Sequence, residues 1–99
     1  MRGYLTFLVL RLIAQKPMSG EDIRNELERR KGHKPSPGTI YPVLKELRKS
    51  KLIEEIVGKG KEKRYTMTKT GMREVEIATR RFLMIFYDMK EDFLKSRRR

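Results

Sequence analysis

Few side chains in this 99-residue chain could do covalent chemistry. The single histidine, His33, stands in a polar stretch, and there is no cysteine, so thiol nucleophiles, disulfides and thiolate metal sites are excluded. No second histidine or cysteine stands at metal-ligand spacing. The adjacent pairs Glu54-Glu55 and Glu91-Asp92 have the spacing of solvated surface carboxylates, and no glycine-rich loop ends in Lys-Ser or Lys-Thr. No catalytic residue, metal or cofactor is therefore assigned.

What remains is recognition chemistry, and it concentrates between Ser36 and Ser50. Ile40, Val43, Leu44 and Leu47 have the i, i+3, i+4, i+7 spacing of a helix core face. At about 100° per residue, Gly38, Tyr41, Pro42, Lys45 and Lys49 fall on the opposite side. That small, aromatic, basic face can approach a phosphate-lined groove, and the helix start offers backbone N–H groups to a phosphate. An ordinary amphipathic helix with a solvated outer face has the same pattern. Pro42 breaks a local rule: inside the helix it removes the bond to Gly38, although the missing side chain there eases crowding. The alternative is a helix that starts later, with residues 36–42 as a turn.

A second basic group follows. From Gly58 to Arg64, Lys59, Lys61, Lys63 and Arg64 stand against Glu62 alone. A flexible basic turn between Leu52–Val57 and Lys63–Met67 suits a hairpin lying along a phosphate backbone, or a surface turn with ordinary charges. An isolated hairpin is marginal, so Leu52, Ile56, Tyr65 and Met67 are expected to pack on the helices.

These groups need a frame. Residues 3–16 read as a helix with one apolar stripe of Leu5, Leu8, Val9, Leu12 and Ile13, and a second of Tyr4, Phe7 and Ala14 interrupted by Arg11. Pro17 stops it. Ser19 is a good N-cap for a second helix, with Glu21 and Asp22 at its positive end and Gly32 placed to end it. Ser36 and Pro37 open the third helix. Thr68 caps a last helix from about Lys69 to Lys95. In it, Met72, Val75, Thr79, Phe82, Phe86, Met89 and Phe93 are spaced 3, 4, 3, 4, 3, 4, a heptad seam whose only polar member is Thr79. Such a helix runs roughly 40 Å, more than so small a domain can cover, so a homodimer is expected, with Tyr4 and Phe7 adding to the interface. The expected fold class is mainly α with a two-stranded β wing, in the order helix, helix, helix, hairpin, long helix. Residues 1–68 would form a domain and residues 69–99 a helix with a basic tail, the two making one unit.

The net charge is +12, with 11 basic against 5 acidic side chains in residues 1–50 and 14 against 8 in residues 51–99. A charge of this size attracts polyanions by counterion release, although it also suits a generally solvated surface. No segment is long enough to span a bilayer, and no secretory signal opens the chain, so no membrane partner and a cytoplasmic location are expected.

Several strings resemble the PadR family of regulators. P-M-S-G at 17–20, with Glu21, Ile23 and Leu27 after it, resembles that family's second helix. S-P-G-T-I-Y-P at 36–42, followed by V-L-K-E-L, closely resembles its recognition helix. K-L-I at 51–53 and R-Y-T-M-T-K-T-G at 64–71 resemble its wing and the start of its last helix. The resemblance implies a winged helix-turn-helix homodimer that represses transcription by binding double-stranded operator DNA. Ser36, Gly38, Thr39, Tyr41 and Pro42 would then lie at the DNA, and Lys61, Lys63 and Arg64 at neighbouring phosphates. It also implies release by a small hydrophobic effector. With no Trp to stack on a planar ligand, a pocket would use Tyr4, Phe7, Phe82, Phe86 and Met89. An architectural chromatin protein that binds DNA with little sequence choice, or a winged helix used for protein assembly, fits the same elements less closely.

Overall fold

The computed structural model describes residues 3–57, 60 and 62–97. Helix α1 spans Gly3–Gln15 and buries Val9, Leu10, Leu12 and Ile13, the apolar stripe extended by Leu10. Pro17 then forces extended backbone, and Met18–Ser19 form a two-residue strand, β1. Helix α2, Gly20–Lys31, opens on a capping box: the Ser19 hydroxyl accepts from the Asp22 amide at 3.0 Å, and the Ser19 amide donates to the Asp22 carboxylate at 3.1 Å. It ends at Gly32, whose φ of +74° lets its amide bond back to the Glu28 carbonyl.

Helix α3 spans Pro37–Lys49 with Pro42 inside it, so the turn alternative for residues 36–42 is excluded. Ser36 occupies the N-cap position, but its side chain caps no amide; its hydroxyl meets that of Thr39 at 3.1 Å instead. At the other end the Leu52 amide bonds to the Leu47 carbonyl and the Lys51 amide to that of Arg48, with Lys51 at φ +60°. This is a Schellman ending, closed by the buried pair Leu47 and Leu52.

Strands β2, Ile53–Val57, and β3, Lys63–Met67, pair antiparallel from Ile53↔Met67 to Val57↔Lys63. The expected two-stranded wing is in fact a three-stranded sheet of order β1-β3-β2, because Met18↔Tyr65 and Ser19↔Arg64 also pair. Two residues carry no periodicity, so β1 leaves no trace in sequence pattern. The hairpin's inward face also needs correction. Ile53 is buried and Ile56 exposed, since the strand begins at Ile53 and alternates from there.

Helix α4, Lys69–Arg97, is fixed at its start. The Thr68 hydroxyl accepts from the Gly71 amide and donates to the Lys51 carbonyl, so one side chain caps α4 and ties it to the end of α3. Gly71 lies directly against the Leu52 carbonyl, where any Cβ would collide with backbone. Gly71 and Val75 are buried, but every residue from Arg80 to Arg97 is exposed, and the molecule measures 59 × 30 × 20 Å. The core is built from α1, α2, α3, the sheet and the first turns of α4.

Candidate nucleic-acid interface

The exposed face of α3 follows from its buried one. Ile40, Leu44 and Leu47 are packed in the core, which turns Gly38, Thr39, Tyr41, Pro42, Lys45 and Lys49 to solvent. Helix α2 and the turn before α3 hold that face in place. The Arg24 guanidinium donates to the Pro35 carbonyl at 2.8 Å, and Glu21 takes both Arg24 and Lys34. The Lys34 ammonium, then Arg24, hold the Glu21 carboxyl below the usual carboxylate range.

Tyr41 is more than an exposed ring. A Cβ on Gly20 would come within 2.6 Å of its Cζ and Oη, so the phenol lies across the first residue of α2. The ring thereby keys α3 to α2, and Gly20 is a site residue that sequence reasoning did not single out. Its signal was the glycine directly after the N-cap serine, where a side chain is ordinarily tolerated.

The wing divides. Lys59 and Lys61 lie outside the described residues. Lys63 is exposed, with its ammonium 3.7 Å from Glu55, and Glu55 is also held by Arg48 of α3 at 2.6 Å. Arg64 behaves differently from the expected phosphate ligand. Its guanidinium turns back on the protein and donates to the Pro17 carbonyl at 2.9 Å, 3.7 Å from Asp22. Beneath the wing, burial and then Glu55 raise the pKa of the Tyr65 phenol.

The heptad seam of α4 also divides. Val75 belongs to the chain's own core, so it is not open to a second chain as the spacing suggested, and the half-buried Thr79 is bonded to Arg11 of α1. The reason is that α1 lies along the first half of α4. Phe82 sits at the edge of that contact, with its ring centroid 6.5 Å from Tyr4 and 5.8 Å from Phe7. Beyond it Phe86, Met89 and Phe93 are exposed, and so are Leu83, Ile85, Tyr87 and Leu94; Met72 is exposed near the helix start. At about 100° per residue, the arc from Ile85 round to Tyr87 covers about 200° of the helix. An open cleft of about 340 Å³ runs between α1 and α4, lined by Tyr4, Phe7, Ile77, Phe82 and Ile85 among others; Phe86 and Met89 do not reach it.

Among the described residues no group of acidic or histidine side chains could hold a metal ion, and no helix is long and apolar enough to cross a membrane.

The arrangement has known relatives. A family model described as the transcriptional regulator PadR-like family matches residues 9–77. An uncharacterized 37.1 kDa protein in transposon TN4556 of Streptomyces fradiae is 30% identical over 69 residues, covering 70% of this chain and 20% of that protein. The chain thus spans about a fifth of the length of that relative. Among solved structures, a PadR-like transcriptional regulator from Bacillus cereus superposes with a TM-score of 0.82 at 26% identity, covering 88% of each chain. Bacillus subtilis PadR in complex with operator DNA gives 0.65 at 28% identity over 76% of this chain and 45% of that one. RosR of H. salinarum shares the fold, with a TM-score of 0.77 at 24% identity over 86% and 77% of the two chains.

Proposed function

The chain belongs to the PadR-like family of winged-helix transcriptional regulators, and on that premise we propose that it is a cytoplasmic repressor, not an enzyme, that binds a pseudo-palindromic operator as a homodimer. The observation that carries this reading is the exposed face of α3. Gly38, Thr39, Tyr41, Pro42, Lys45 and Lys49 stand together on a helix whose other side is locked into the core. Thr39 and Tyr41 offer hydroxyls to base edges, and Lys45 and Lys49 offer charge to phosphates. Lys59, Lys61 and Lys63 of the wing supply further phosphate contacts. Residues 1–68 act as the DNA-binding domain and residues 69–99 as the dimerisation helix and basic tail.

The exposed half of α4 supports the dimer. An apolar arc of about 200° is twice what a single packed helix covers, so two partner surfaces are needed. The second α4 supplies one, and the partner's first helix, through Tyr4 and Phe7, supplies the other. A small hydrophobic effector fits the α1–α4 cleft, where it would alter how the two helices meet.

Selection of bound duplexes from a random DNA pool tests the reading. The expected result is an inverted repeat whose half-sites are about one helical turn apart. Binding without enrichment of any sequence would hand the protein to the architectural class, which its charge of +12 would also serve.

A further inference from the structure

The corner where β1, α2 and β3 meet is closed by an arginine on the wing strand. Arg64 pairs with Ser19 across the sheet, and its guanidinium donates to the Pro17 carbonyl just before β1. The same guanidinium lies 3.7 Å from the Asp22 Oδ2 atom that accepts the Ser19 amide in the capping box. The Asp22 amide in turn donates to the Ser19 hydroxyl. Wing strand, cap and the first turn of α2 therefore share one closed set of polar contacts. Strand β1 has two residues, too few for a ladder to hold by itself. Gly20, one residue along, carries the Tyr41 ring, so the recognition helix is keyed to the same corner.

We propose that Arg64 is a positioning residue that locks the wing strand to the start of α2, and that it is not a phosphate ligand. The lock fixes the distance between the α3 face and the wing. Both contacts run through one nitrogen, Nη2, which donates to the carbonyl and lies within ion-pair distance of the carboxylate. The rigid planar guanidinium presents that nitrogen to both, whereas a lysine keeps the charge on a flexible stem without that fixed geometry. With the corner intact, base contacts from α3 and phosphate contacts from the wing are made together. With it loosened, the wing still reaches phosphates on any duplex but no longer in register with α3. Loss of the lock should thus lower operator binding more than binding to random DNA.

The inference rests on the DNA-binding reading for its functional consequence, so the test has one arm with DNA and one without. In the free protein, Arg64→Ala should speed amide exchange at Met18, Ser19 and Tyr65 about tenfold. Arg64→Lys should recover only part of that. Asp22→Asn, which keeps an acceptor for the Ser19 amide, should add little to Arg64→Ala. On DNA, Arg64→Ala should weaken operator binding about tenfold and random-duplex binding little, with the slope of log affinity against log salt nearly unchanged. Lys63→Ala, by contrast, should lower that slope by about 0.9 on both duplexes. The proposal is overturned if amide exchange is unchanged in Arg64→Ala. It is equally overturned if that variant loses about 0.9 of slope on both duplexes and Arg64→Lys restores it, which is the behaviour of a phosphate ligand. If the unmodified protein bound neither duplex, the repressor reading would fail, while the exchange rates would still decide the lock.

Discussion

The guanidinium of Arg11 donates to the hydroxyl of Thr79 at 2.9 Å, joining α1 to α4. Each residue breaks the apolar pattern of its own helix, Arg11 in the second stripe of α1 and Thr79 in the heptad seam of α4. The two exceptions answer each other. The Thr79 hydroxyl also donates to the Val75 carbonyl at 2.6 Å, so it is held as an acceptor for the arginine. The pair lies where the shared core stops and the exposed aromatic half of α4 begins.

Arg11→Met and Thr79→Val should each destabilise the fold slightly, and the double variant by less than the sum. The bond is solvent-exposed, so a coupling of about 0.5–1 kcal/mol is expected. Urea denaturation of the four proteins at one fixed concentration measures it. Strict additivity would mean the bond contributes nothing.

Much of the fold was legible because its signals are local. Pro17, Ser19, Gly32, Pro37 and Thr68 mark element ends by backbone geometry and capping, and each lies where those rules put it. The core face of α3 followed from spacing alone. What escaped was set by tertiary contact. Strand β1 exists because β3 passes beside Met18 and Ser19. Val75 looked like any other seam position, and only tertiary packing takes it into the core. Arg64 shares the charge of its wing neighbours, and nothing in sequence distinguishes a guanidinium aimed at Pro17 from one aimed at solvent. The exposed face of α3 was readable, but the seating of Tyr41 on Gly20, 21 positions away in the chain, was not.

Lys51 holds the left-handed position that closes α3, at φ +60°, where a Cβ is unfavourable. Lys51→Gly should therefore stabilise the protein by about 0.5–1 kcal/mol, part of the gain being returned through the more flexible unfolded chain. A rise in the denaturation midpoint at constant slope is the expected signature. A fall would mean the lysine side chain supplies more than its backbone strain costs.

Phe86 and Phe93 lie in the half of α4 that contacts nothing in its own chain's core, so they separate association from folding. Phe86→Glu with Phe93→Glu should give a folded monomer by sedimentation, with α-helical content lost only from the end of α4. A dimer of unchanged affinity would place the interface elsewhere.

Glu26 carries two arginines. Arg29 first, then Arg30, hold its carboxyl down at about 2. A depressed carboxylate stabilises the fold above its unfolded value of about 4.5, and that contribution fades as the pH falls through the folded value. The unmodified protein should thus lose more stability between pH 4.5 and pH 2 than Glu26→Gln does. Carboxyl chemical shifts followed by NMR should show a midpoint near 2 for Glu26. An ordinary midpoint would mean that both ion pairs dissolve in solution.

Tyr41 has two separable roles, and Gly20 allows them to be told apart. Tyr41→Phe keeps the ring on Gly20 and removes only the hydroxyl. Gly20→Ala keeps the hydroxyl but pushes the ring away, since the new Cβ would stand 2.6 Å from Cζ. The ring is the far end of a side chain and 45% exposed, so it can swing out with little loss of stability. If the hydroxyl reads a base, Tyr41→Phe should cost about 1–3 kcal/mol of discrimination between operator and random duplex, and so should Thr39→Ala if its hydroxyl or methyl does the same. If the ring's chief role is to seat α3 on α2, Gly20→Ala should lose the discrimination and Tyr41→Phe should not. Affinities for both duplexes at one salt concentration decide it. An equal loss on operator and random DNA in Tyr41→Phe would make the phenol a phosphate contact. Full discrimination in Gly20→Ala would show that the ring's seat is dispensable, leaving the hydroxyls of Tyr41 and Thr39 to carry the reading.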